Sequence, residues 1–240
     1  MTDIRGFIRA FLQRRSIIRP MLYDFGDFNY ASTDPSDLIQ RFCPSTGMDA
    51  LEKVKSEFNM VREDISGKLQ ESKEKRKWEG SVDWATSFLL YALVRLEQPE
   101  SVVETGISRG VSTVSILSAM DRNGKGILHS FDVIPDAGYL VGGGHPRWKF
   151  AALDPGNARK GFSEIVSRLK PLDIFFHDSD HSYGHQLFEY ETAFSVLGKG
   201  GLLISDDVNF SFAFLDFSKN KGMEPGFLVT VKNVVGLARV

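Results

Sequence analysis

Residues 101–112 read SVVETGISRGVS. Ser101 to Thr105 is short, β-branched and apolar up to Glu104, the composition of a buried strand. From Val111 to Met120 the apolar positions repeat with helical spacing. Between them stand Gly106 and Gly110, four residues apart. Glycines there let the backbone turn tightly and approach a ligand closely. The helix behind them offers unpaired N–H groups at its first turn. Two familiar phosphate-binding fingerprints are absent. Ser108 occupies the second glycine position of G-x-G-x-x-G, and no G-x-x-x-x-G-K-[ST] occurs. Glu104, two residues before Gly106, would repel a phosphate and suits a cation or an amino group. A plain strand–helix turn without a ligand is the competing reading of this segment alone.

Downstream the strand–helix alternation continues. Ile127 to Val133, Trp148 to Leu153, Leu172 to His177 and Gly201 to Ser205 read as strands. A stretch carrying Phe162, Ile165, Val166 and Leu169 reads as a helix, as does Tyr183 to Leu197. Phe227 to Lys232 and Val234 to Val240 read as a closing hairpin. This order predicts an α/β fold: a Rossmann-like, doubly wound, mostly parallel sheet with a C-terminal antiparallel hairpin. Ligands in such sheets bind beyond the carboxyl ends of the strands.

Upstream, Leu51, Val54, Phe58, Val61, Ile65 and Leu69 recur at steps of three and four, so a helix is expected from Met48. Thr46 and Asp49 make a capping-box candidate. A second helix is expected from Ser81 to about Leu96, stopped by Pro99. Residues 20–47, with Pro20, Pro35, Pro44, Gly26 and Gly47, read as a long irregular connection. Residues 1–19 predict a short basic amphipathic helix. It would be an arm packing on the domain or on a second subunit, or a helix lying on an anionic membrane surface.

The chemistry gathers at the strand ends. Asp132 closes the second strand, where an acid can accept hydrogen bonds from ribose hydroxyls. The fourth strand ends in His177-Asp178-Ser179-Asp180-His181-Ser182-Tyr183, and the fifth in Ser205-Asp206-Asp207-Val208-Asn209. Neighbouring parallel strands would bring Asp178, Asp180, Asp206 and Asp207 together. Clustered carboxylates raise one another's pKa, and a divalent cation with oxygen ligands relieves the repulsion. Asp180 or Ser182 is a natural N-cap for the following helix. His177, His181 and His185 stand four apart, but strand, loop and helix do not share one periodicity, so a helical zinc face is not expected. His177 reads as a packed strand residue and His185 as a helix-surface residue. His181, in the loop beside the acids, reads as a general base. Phe210, Phe212, Phe214 and Phe217 read as core or a packed lid, with an acceptor pocket as the other reading.

The 240 residues carry 29 Lys+Arg against 31 Asp+Glu, a net charge of −2. That balance excludes a generally basic nucleic-acid binder. One cysteine, Cys43, excludes an intrachain disulfide and a cysteine-based zinc finger. No run approaches the roughly 20 apolar residues of a membrane span. Arginines interrupt the N-terminal apolar runs, so no secretory signal is expected, and the expected compartment is the cytoplasm. The charge is uneven: residues 170–216 hold eight acids and two lysines, and residues 1–23 hold five arginines and one acid.

On these motifs the chain, from about Val82 to Val240, resembles the class I S-adenosylmethionine-dependent methyltransferases. It is most similar to small-molecule O-methyltransferases that use a divalent metal. Glu104, Gly106, Gly110 and Ser112 match the E-x-G-x-x-x-G-x-S of catechol O-methyltransferase. D-x-D-H-S-Y resembles the macrocin- and mycinamicin-type sugar, cephalosporin-type and rhamnosyl relatives. His181 stands three residues after Asp178, where the catechol enzyme has a lysine. Ser179 departs from the glycine many relatives have, and the first 80 residues match nothing specific.

The resemblance implies a seven-stranded catalytic domain over residues 81–240, preceded by a helical arm or cap over 1–80. It implies a cofactor site of Glu104, Gly106, Ser108, Gly110, Ser112, Asp132, Asp154 and Asp178, with LDPGNA (153–158) near the adenine. It implies Mg²⁺ or another divalent cation on Asp178, Asp206 and Asp207, and His181 as the base. The reaction expected is methyl transfer to a hydroxyl of a sugar, natural product or catechol-like small molecule by a homo-oligomer. A metal-independent methyltransferase and an inactive methyltransferase-like scaffold are the alternatives.

Overall fold

The computed structural model describes residues 30–72 and 80–240. The expected arm over residues 1–19 lies outside them. In chain order the strands are β1 (Ala31–Ser32), β2 (Ser101–Thr105), β3 (Ile127–Asp132), β4 (Trp148–Ala152), β5 (Leu172–His177), β6 (Leu197–Ser205), β7 (Gly226–Val229) and β8 (Val234–Arg239). The helices are α1 (Pro35–Phe42), α2 (Met48–Glu71), α3 (Trp84–Glu97), α4 (Val111–Asn123), α5 (Ala158–Val166), α6 (Tyr183–Phe194) and α7 (Ala213–Asn220).

The strands form one sheet of order β1-β7-β8-β6-β5-β2-β3-β4. All neighbours are parallel except β8, which runs antiparallel to both β6 and β7. The doubly wound expectation holds, with one strand more than the seven expected: Ala31 and Ser32 pair in parallel with Phe227 and Leu228 at the edge. The chain leaves β2 first toward β3 and β4, then returns to place β5 on its other side. The crevice at such a reversal is where ligands bind.

Alternation along the strands assigns the two faces. Val102, Ile174, Phe176, Leu202 and Ile204 face a core shared with α1, α2 and α3, which contribute Leu38, Ile39, Phe42, Leu51, Phe58, Leu89 and Leu93. Val103, Phe175 and Leu203 face the second core, with Phe162, Tyr190, Phe214 and Phe217. Buried on both faces, the strands are apolar runs, as a parallel sheet requires.

Four local expectations need correction. Residues 20–47 are not irregular throughout, because Pro35 opens α1 rather than breaking it. Proline suits a first helical position, and the Asp34 carboxylate accepts from the Ser36 N–H at 2.8 Å. Thr46 and Asp49 form no capping box; Gly47 is the N-cap of α2, with no side-chain bond. The next helix starts at Trp84, not Ser81, because Asp83 Oδ1 accepts from the Thr86 N–H at 2.9 Å. The helix from Tyr183 ends at Phe194, and Leu197 already belongs to β6. The core reading of the phenylalanines after β6 holds for Phe212, Phe214 and Phe217, which are buried, the last two inside α7, while Phe210 is exposed. No described helix is long and apolar enough to cross a membrane.

Candidate active site

Strand register assembles the site. Thr105 pairs with His177, and His177 with Ser205. The residues that follow are therefore side by side. The Asp178 N–H donates to Thr105 O at 2.9 Å, and the Asp206 N–H to His177 O at 2.8 Å. Gly106 has φ +74°, and a Cβ there would lie 2.0 Å from Asp178 O. Only glycine permits that approach. Ser108 and Asp207 also have left-handed backbones, at φ +49° and +52°. Such conformations in residues other than glycine cluster at functional sites.

These strand ends open into a cavity of about 610 Å³. Its apolar end is walled by Phe131, Leu153, Phe162 and Phe188, and its polar end by Asp178, His181, Asp206 and Asp207. Gly106, Ser108 and Asp132 also line it. Asp132 Oδ2 accepts from the N–H groups of Ile107 and Ser108 at 2.8 and 3.1 Å, and Oδ1 from Ile134 at 2.9 Å. The acid thus holds the glycine turn in shape while bordering the cavity.

Four expected cofactor residues do not line it. Glu104 is fully buried and accepts from the hydroxyls of Ser112, Thr113 and Ser130. Burial pushes its pKa up to about 6, against the three hydroxyls that lower it. Ser112 is turned to Glu104, and Gly110 packs against Gly138. Asp154 is exposed, folded back on Gly156 N and Asn157 Nδ2 at 3.2 and 2.9 Å. Glu104, Gly110 and Ser112 support the loop from behind.

At the polar end, Asp178 and Asp206 are in hydrogen-bonding contact. Burial, then the charges of Asp206 and Asp207, raises the Asp178 pKa well above the carboxylate range. Burial, then the charge of Asp207, pushes Asp206 up to about 8. Asn233 Nδ2 donates to Asp206 Oδ1 at 2.7 Å. His181 Nε2 lies 3.3 Å from Asp207 and 3.8 Å from Asp178. Burial lowers its pKa to about 4, so the imidazole is neutral at pH 7. Its Nδ1 is buried without a partner. Asp180 accepts from Ser182 N at 2.8 Å, a turn role.

Sequence reasoning missed Glu189. It accepts from Thr105 and Ser179 and binds both His177 and His185, at 2.6 and 2.9 Å. Burial would raise its pKa, but the hydrogen bond from His177 leads the effects that hold it down to about 2. His185 is therefore a bonded cavity residue, not a free helix surface. The spacing of His185 and Glu189, four apart on one helix, was the available signal. Asn233, in the β7–β8 turn, carried none.

Residues 103–208 match the family model described as a methyltransferase domain. No curated protein matches the chain. Among solved structures, a methyltransferase from Geobacter sulfurreducens shares 24% identity at a TM-score of 0.57, covering 73% of this chain and 87% of that one. The O-methyltransferase TomG from Streptomyces achromogenes, solved with S-adenosylmethionine, shares 17% at 0.57, covering 74% and 89%. The MycE methyltransferase of mycinamycin biosynthesis, solved with Mg, S-adenosylhomocysteine and mycinamycin VI, shares 18% at 0.53, covering 75% and 54%. Residues 103–208 thus match a methyltransferase domain, and the chain shares the fold of these solved methyltransferases.

Proposed function

We propose that the chain transfers a methyl group from S-adenosylmethionine to a hydroxyl of a small molecule. The observation that carries this is one cavity bordered by the glycine turn, Asp132, the three strand-end aspartates and His181. Asp132 would accept from the ribose hydroxyls, and the phenylalanine-walled end would take the adenine. Gly106 lets the backbone approach the donor. The donor is already activated, so the protein's task is to orient the acceptor and receive its proton. His181, beside Asp207, would take it, with Asp207 stabilising the resulting imidazolium.

The donor set of Asp178, Asp206 and Asp207 suits a hard divalent cation, and their mutual repulsion favours one. A bound cation would lower the pKa of an acceptor hydroxyl. As the side chains stand, no three His, Cys, Asp or Glu among the described residues form a metal-holding group. A metal-independent reading has its own support: one proton shared by Asp178 and Asp206, with Asn233 donating to Asp206 Oδ1, would also relieve the repulsion.

Transfer of radiolabelled methyl to acceptor mixtures tests the reading, with S-adenosylhomocysteine binding measured by calorimetry. His181→Ala should lower turnover by roughly 10²–10⁴-fold with cofactor affinity unchanged. Equal loss of both would remove the base role. Activity indifferent to EDTA would select the metal-independent reading.

A further inference from the structure

A second cavity, of about 870 Å³, adjoins the first and shares Ser81 and Lys232 with it. It lies between the end of α2, the start of α3 and the β7–β8 turn. Its walls include Leu69, Val82, Trp84, Val111, Val229 and Val231. Two of the polar side chains in those walls are engaged within the protein, and Thr33, Ser81 and Lys232 are the other polar ones. Asp83 caps α3, and Thr230 Oγ1 donates to Asn233 Oδ1 at 2.8 Å. Asp83 also lies near enough to Asp206 for its charge to act on that carboxyl. The two cavities therefore meet at Ser81 and Lys232.

We infer that this cavity holds the body of the methyl acceptor and selects a flat, mostly apolar molecule that presents its hydroxyl past Ser81 and Lys232. The inference rests on the methyltransferase reading above. The volume is that of a small-molecule site. A polyhydroxylated sugar would bury hydroxyls against walls with few free partners, which is unfavourable. An aromatic body gains from burial on Trp84 and the valines.

The test uses the full chain loaded with S-adenosylhomocysteine and two probes, 2,3-dihydroxynaphthalene and methyl glucoside, by calorimetry. The naphthalene should bind roughly tenfold more tightly or better. Ala85→Trp, which fills the cavity, and Val231→Asp, at a turn position 94% exposed, should each weaken it by about fivefold or more. Cofactor affinity should stay within about twofold, which also reports that each variant folds. Equal or tighter glucoside binding overturns the inference. So does naphthalene that does not bind, or binding that both variants leave unchanged. Failure of the wild-type chain to bind S-adenosylhomocysteine would instead overturn the methyltransferase reading.

Discussion

Glu104 is a carboxyl with three hydroxyl partners and no exposed surface. Its folded pKa, about 6, lies above the ordinary glutamate value of about 4.3. The folded state therefore holds the proton more tightly than the unfolded chain. Its contribution to stability is complete below about pH 4.3 and is lost as pH rises through 6. The loss is roughly 2 kcal/mol. Urea unfolding at pH 4.5 and pH 7 should show the wild type losing this relative to Glu104→Gln; a constant gap between the two refutes it. Gly106 and Asp132 were legible because a turn glycine and a strand-end acid act where they stand in sequence. Glu189 was not, because its partners come from β2, β5, the loop after β5 and α6.

At the scale of elements, a side chain can be read only when its partner is local. Asp83→Ala should destabilise by about 1 kcal/mol, the usual value of an N-cap, measured by chemical denaturation. The turn after β2 is less tolerant. Gly106→Ala would force a Cβ against Asp178 O, whereas Gly142, also at positive φ, has nothing within 4 Å. Gly106→Ala should lower S-adenosylhomocysteine affinity by roughly tenfold or more, and Gly142→Ala should leave it nearly unchanged. Comparable affinities in the two variants would show that the approach of Gly106 to Asp178 is unimportant. The same distinction explains α1 and α7. Short helices of eight residues each carry little periodicity, and a proline at the first position of one and close-set phenylalanines in the other obscured them.

For the molecule as a whole, α1 and α2 share a single hydrophobic cluster with α3, α4 and one face of the sheet. Calorimetry should give one cooperative transition for the described parts. Ile39→Ala should shift that whole transition by about 2–5 kcal/mol, and a separate early transition would mean the N-terminal helices melt alone.

The alternation of apolar strands with helices, the glycine turn and the strand-end acids are local patterns, and they were enough to set the fold class and to name Asp178, His181, Asp206 and Asp207. Which acids border the cavity and which stand behind it depended on the parallel register of β2, β5 and β6. That register joins Thr105 to His177 and His177 to Ser205, residues far apart in sequence, and no local propensity encodes it. It turned Glu104 and Ser112 into supports, bound His185 to Glu189, and brought Asn233 from the far hairpin onto Asp206.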